Sequence, residues 1–428
     1  MTSTAVKLSF LYLLVVAAAG TFLRAMPFLP STGLDYQHVL HAHSHLAFLG
    51  WVYSALFLAL LHFFLPSGSF ETPRYQKIFW LTQATTVSMF LAFLLDGYGG
   101  TSIALLSIHT FLAIVFIRQF LKDAKLTFQS SSTWFVLVAF GSFCLSALGP
   151  LAIPFVKIFG ENDPELMKMA VHFYLHFHYN GWFVFGLLAL LLKIMETENI
   201  APPRYLARWT FGLLAAGLAP AYFLIVPFVK LPWALDWLVK LAVLAQWTGF
   251  GMLLLFFIKN SISRHLKKDQ AGHWLLQTSF AFLFFKFSLE LFSEIPGVST
   301  FVNLENRFLT IGYLHLIFLG AVTPFFWWLF EKAVWSDWRK GVSRWGFGCF
   351  FAGFLLHELY LFCTGLGLIL PMIAQMLAVC SFIMFFGIAL LLPSVFYFEK
   401  TMTRKVKSNA EIAPSGKIEN ERLSETSY

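Results

Sequence analysis

His43-Ser-His45-Leu-Ala-Phe-Leu-Gly50-Trp51 opens a long apolar segment, and its frame, a histidine followed five residues later by a glycine, returns twice more. His176-Phe-His178-Tyr-Asn-Gly181-Trp182 restates it 131 residues on, and His315-Leu-Ile-Phe-Leu-Gly320 a further 139 residues on. Imidazole in hydrocarbon is costly unless something satisfies it, so histidines within apolar spans are candidates for function. Three at near-equal intervals predict an internally repeated membrane scaffold carrying a metal or haem site.

Composition agrees. The chain is 58% hydrophobic and 12% charged, with mean hydropathy +0.71, more apolar surface than a water-soluble domain can hide. Apolar runs of about 20 residues suit a bilayer core of roughly 30 Å. Twelve are read between residues 8 and 397. The expected fold is therefore an all-α polytopic membrane protein, twelve transmembrane helices in three four-helix repeats. Residues 1–399 form the membrane domain and 400–428 a disordered cytoplasmic tail rich in Ser, Glu and Lys. The first run, 8–26, is read as a retained helix rather than a cleaved signal. With the N-terminus in the cytoplasm, 23 Lys and Arg fall on the cytoplasmic side and six on the outer side, with Lys286 inside a span. That bias puts both termini inside, and the expected location is the bacterial inner membrane. The net charge of +8 is then topological, and it points to the lipid bilayer rather than to nucleic acid as partner. Cys144, Cys349, Cys363 and Cys380 lie in separate apolar stretches and read as small core residues.

The three phrases fall on helices 2 (39–65), 6 (169–192) and 10 (309–330), each the second of a group of four. His41 and His45 are four residues apart, as are His172 and His176, so each pair shares a helix face. His43 and His178 point to another side. His109 on helix 4 (101–121) and His357 on helix 11 (345–368) reach the same outer layer. The glycine of each phrase lets either a flat cofactor or a neighbouring helix come close. On helix 9, Lys286, Glu290 and Glu294 follow at spacing four, the pattern of an intramembrane ion pair or of a proton-conducting element. His38, His62, His265 and His273 fall at span ends or in loops and read as interfacial.

Neutral imidazole ligates haem iron, copper and zinc. Cysteine ligands at metal spacing and an HExxH helix are both absent from the sequence, which weakens structural zinc and metalloprotease readings. Without a CxxCH attachment motif a haem would be the non-covalent b type. His45 and His315 are the expected axial pair, with His43 and His176 next. A second centre, copper or another haem, would draw on His172, His176 and His178, with His109 and His357 in reach.

The run His43-Ser-His45-Leu-Ala-Phe-Leu-Gly50-Trp51, with His62 and Pro66 at the helix end, resembles the helix 2 segment of oxidase-like bacterial proteins, and the chain resembles a divergent member of the haem–copper oxidase subunit I superfamily. That resemblance implies twelve helices in three arcs and a low-spin haem held between a helix 2 histidine, His45 or His43, and the helix 10 histidine, His315. It also implies electron delivery by a donor protein or quinol, and oxygen or nitric oxide as substrate. The chain departs from the family where Tyr313 stands at the position of the active-site haem ligand. Helix 7 (208–229) has no histidine for copper, and the family's arginine pair for the haem propionates is missing, leaving Arg24 and Arg307 as outer-side substitutes. The chain also resembles the haem- and copper-containing membrane proteins of the nitric oxide response, which carry a His-Ala-His segment like His41-Ala-His43. Three functions follow: a haem redox protein, a haem or copper sensor or accessory protein without turnover, and a haem-free transporter with intramembrane histidines.

Overall fold

Asp35, Asp163 and Asn306 each accept hydrogen bonds from backbone N–H groups two or three residues on. Such caps satisfy donors that a helix start leaves unpaired, and these three begin the helices that carry the repeated phrase. The computed structural model describes residues 3–30, 33–160, 163–226, 229–266, 272–295, 297, 306–333 and 341–412. Among the described residues eleven helices are long and apolar enough to cross a membrane: α1 (Thr4–Phe28), α2 (Tyr36–Phe64), α3 (Pro73–Asp96), α4 (Gly100–Asp123), α5 (Ser131–Phe159), α6 (Pro164–Thr197), α8 (Trp233–Lys259), α9 (His273–Ser293), α10 (Arg307–Lys332), α11 (Gly341–Gly365) and α12, whose apolar part is Ile373–Phe396. No strand occurs among the described residues. The chain is a polytopic helical membrane protein.

The apolar run expected over 208–229 is the exception. Helix α7 (Arg204–Leu218) stops after 15 residues, about 22 Å at the rise of an α-helix, and continues as a 3-10 turn over Pro220–Ile225. Pro220 has no N–H and its ring crowds the preceding turn, so the α-helical ladder cannot pass it. Tyr222 N–H bonds to Ala219 O instead, which leaves the Leu218 carbonyl free for a side chain. At the other end of the chain α12 remains helical to Ile412, past the start of the expected tail at 400. The rest of that expected tail, 413–428, lies outside the described residues.

Helices α2, α6 and α10 form the interior. In their most apolar windows 83%, 94% and 67% of residues are buried, against 33–50% in the other eight. Around them α1 packs along α2 and α12, α3 along α4, α5 along α6, α7 along α8, and α11 along α12. The interior helices meet through Phe48, Phe183 and Phe318, with ring centres 4.6 Å apart for Phe48–Phe318 and 5.6 Å for Phe183–Phe318. Trp51 Nε1 donates to Thr323 Oγ1 at 3.1 Å, tying α2 to α10.

Each interior helix changes its winding at the same point of its phrase. A seven-residue π-helical segment starts on the residue after His45, His176 and His315: Leu46–Val52, Phe177–Phe183 and Leu316–Val322. A π turn inserts a residue, widens the helix and shifts carbonyls out of the i→i+4 ladder, and such segments occur often at functional sites. The Leu49 carbonyl, inside the first segment, faces His109 Nε2 at 3.3 Å.

The glycine of each phrase lies in the widened turn and meets protein, not a cofactor. A Cβ on Gly181 would come within 2.3 Å of Ser142 Cβ, and one on Gly320 within 2.8 Å of Phe282. Gly181→Ala gains about 1 kcal/mol of helix propensity, but overpacking a tight contact costs about 1–3 kcal/mol, so the variant should unfold at lower temperature in detergent. Gly212→Ala on α7, where nothing lies within 4 Å of the added carbon, should melt at or above wild type. Equal melting of the two would refute the close-contact role.

Candidate functional site

A cavity of about 200 Å³ opens between α1, α2, α10, α11 and α12. Its wall is largely aliphatic and aromatic, with Phe48 and Phe318 among the lining residues, and three imidazoles face it: His43, His315 and His357. Arg24 and Tyr36 also line it, from the end of α1 and the start of α2. Arg307, in the first turn of α10, donates to the Tyr36 hydroxyl and lies 5.1 Å over its ring.

The tautomer of His43 is settled by its partner. Nδ1 lies 2.9 Å from the Val16 carbonyl. A carbonyl only accepts, so Nδ1 carries the proton and Nε2 keeps the lone pair. Metal-bound histidines are held this way, with one nitrogen tied to an oxygen and the other available. Gly20 makes the room, because a Cβ there would stand 3.0 Å from His43 Cε1.

His315 and His357 face each other from α10 and α11 with ring centres 5.2 Å apart. Glu358 Oε1 lies 3.5 Å from His315 Nδ1 and 3.4 Å from His357 Nδ1. His357 and Glu358 are buried, and His315 Nδ1, His357 Nε2 and Glu358 Oε2 have no hydrogen-bond partner among the described residues. Gly312 leaves space for the carboxylate: a Cβ there would sit 3.3 Å from Glu358 Oε2.

His45, expected opposite His315, is directed elsewhere. Its ring stacks on Phe93 at 4.3 Å and 3°, and Nε2 meets the Tyr98 hydroxyl at 2.8 Å. Burial pushes the Tyr98 hydroxyl up to about 12, so it stays protonated and donates to Nε2. His41 packs edge-on against the same tyrosine at 4.4 Å. The opposed faces of His43 and His45 follow from their two-residue separation, and the cavity takes His43.

The helix 6 grouping does not assemble. His172 Nδ1 bonds its own helix at Lys168 O, 2.7 Å away. Both nitrogens of His176 are engaged, Nε2 with the Leu218 carbonyl freed at the end of α7 (2.7 Å) and Nδ1 with Asn180 (3.2 Å). His178 Nδ1 meets Ser146 Oγ at 3.2 Å. His357, expected to serve that grouping, belongs with His315. His45, His109 and His178 are within electrostatic reach of one another, and each keeps one unpartnered nitrogen, yet they do not converge as metal ligands.

On α9, Lys286 Nζ lies 2.9 Å from Glu290 Oε2, with both side chains buried. The other carboxylate oxygen accepts from the Tyr313 hydroxyl. Tyr313 on α10 is thus bound to α9. Sequence reasoning missed this partner and that of His45, Tyr98 in the α3–α4 turn, since neither turn nor spacing announced a long-range contact.

Compared with known proteins, the chain matches no family model and no curated sequence.

Proposed function

We propose that this chain is a haem-binding membrane redox protein, in which His43 and His315 would hold a b-type haem in the α1–α2–α10–α11–α12 cavity. The observation that carries the reading is that these two histidines, from two of the three interior helices, line one apolar cavity. The His43 lone pair is kept available by its bond to Val16. Two imidazoles from different helices suit a six-coordinate electron-transfer site, and when bound the haem supplies a one-electron iron couple. Arg24, Tyr36 and Arg307, grouped at the helix ends, offer charge and hydrogen bonds to propionates. The resemblance to haem–copper oxidase subunit I points the same way, with His43 rather than His45 as the helix 2 ligand.

The same reading takes the architecture as three four-helix units, α7 completing the second, with both termini cytoplasmic. Support comes from the π segments at one register of α2, α6 and α10. The interior has no histidine set matching the family's copper centre, so the reading favours electron transfer or haem sensing over oxygen reduction. The full-length protein, purified after expression with ample haem, should show a Soret band and a sharp reduced α-band. Absence of both at full protein yield would leave the transporter reading in its place.

A further inference from the structure

We propose that His315, His357 and Glu358 form a binding site for a divalent first-row metal ion of the zinc class. One ligand atom from each lies within 4.8 Å of the others. The distances fit an ion better than hydrogen bonds. Charge-assisted N–H···O bonds run at about 2.7–2.9 Å, whereas Glu358 Oε1 stands 3.5 and 3.4 Å from the two Nδ1 atoms. An ion with bonds of about 2.1 Å in tetrahedral geometry sets its ligand atoms about 3.4 Å apart and two imidazole centres about 5 Å apart. The His315–His357 ring separation is 5.2 Å.

The setting is that of a built site. No lysine or arginine lies within ion-pair distance of Glu358 among the described residues, and Arg24 reaches it only through longer-range attraction. A buried carboxylate without a close cation is costly, and a bound divalent ion removes that cost. Two histidines and a glutamate are a donor set zinc accepts while keeping one position open. That position would be served from the cavity His315 and His357 line.

The inference meets the proposed function at His315 and at the cavity wall that His315 and His357 share. Its Nδ1 belongs to the cluster, so haem would take Nε2. With both nitrogens ligated, the ring's N–H proton leaves to solvent as the ion binds. The ion needs no haem to bind, which keeps the two readings separable.

The test uses full-length protein in detergent, stripped with a chelator, equilibrated with zinc(II) and desalted, with zinc and haem measured on the same sample. Wild type should hold about one zinc per chain at this site, and His357→Ala and Glu358→Gln should each weaken binding by about tenfold or more. Glu358→Gln should leave haem content unchanged, because His43 and His315 remain and Glu358 does not line the cavity. Wild type retaining under about a tenth of a zinc per chain, or His357→Ala binding as wild type does, overturns the site. Zinc bound without haem sinks only the haem reading. Haem without zinc sinks only this one.

Discussion

His43→Ala and His315→Ala should each abolish the six-coordinate low-spin haem spectrum, while His45→Ala keeps it. Each variant removes one of the two imidazoles that would hold the haem, so any haem that remains should lose its low-spin bands and gain carbon monoxide binding. His43 is tied through Nδ1 to Val16 O and lines the cavity with His315. His45 turns to Phe93 and holds Tyr98 through Nε2. Its loss removes one hydrogen bond from the half-exposed Tyr98, about 0.5–1.5 kcal/mol, without touching the cavity. Reduced-minus-oxidised and carbon monoxide difference spectra on the three variants decide the matter. Retention by His43→Ala with loss in His45→Ala would reverse the ligand assignment, and retention by all three would remove haem from this cavity.

Much of this was legible from the residues, and the gaps have physical causes. The all-helical membrane class and eleven of the twelve expected spans follow from hydropathy, because apolar length is a local property of the chain. The run at 208–229 was read as one helix because Pro220 sits inside continuous apolar sequence. Composition alone does not say that the ladder stops at Leu218, or that its freed carbonyl will hold His176. The three phrases marked the interior helices, yet the π winding that begins after each histidine is a backbone state with no composition of its own. Helical geometry did say that His43 and His45 face apart. Which face meets the cavity depends on α1 and α3, whose positions are tertiary. Glu358 adjoins His357 in the sequence, but it stands 43 residues from His315, and only the packing of α11 on α10 brings those two together.

The buried pair on α9 carries the other large effect. Lys286→Met should cost about 3–5 kcal/mol, because it leaves the Glu290 carboxylate in the protein interior without its cation. Glu290→Leu should cost as much, stranding the ammonium and taking away the acceptor of the Tyr313 hydroxyl. The double variant Lys286→Met/Glu290→Leu removes both charges together and fills the space with apolar atoms. It should lose far less than the two single costs added, since replacing a whole buried ion pair by hydrophobic side chains is often neutral. What remains is the orphaned Tyr313 hydroxyl, about 1–3 kcal/mol. Denaturant titration of the three variants in detergent gives the coupling energy directly. Single costs below about 1 kcal/mol, or strictly additive ones, would mean the two groups are solvated independently and the ion pair contributes nothing. The same double variant separates the two roles open to this helix. Lys286 Nζ lies 3.9 Å over the Phe287 ring and both side chains of the pair are buried, which is the surrounding of a structural pair. The double variant should therefore keep its haem spectrum and its rate of reduction by a soluble donor. A proton-conducting pair would instead give folded double variant whose reduction no longer responds to external pH.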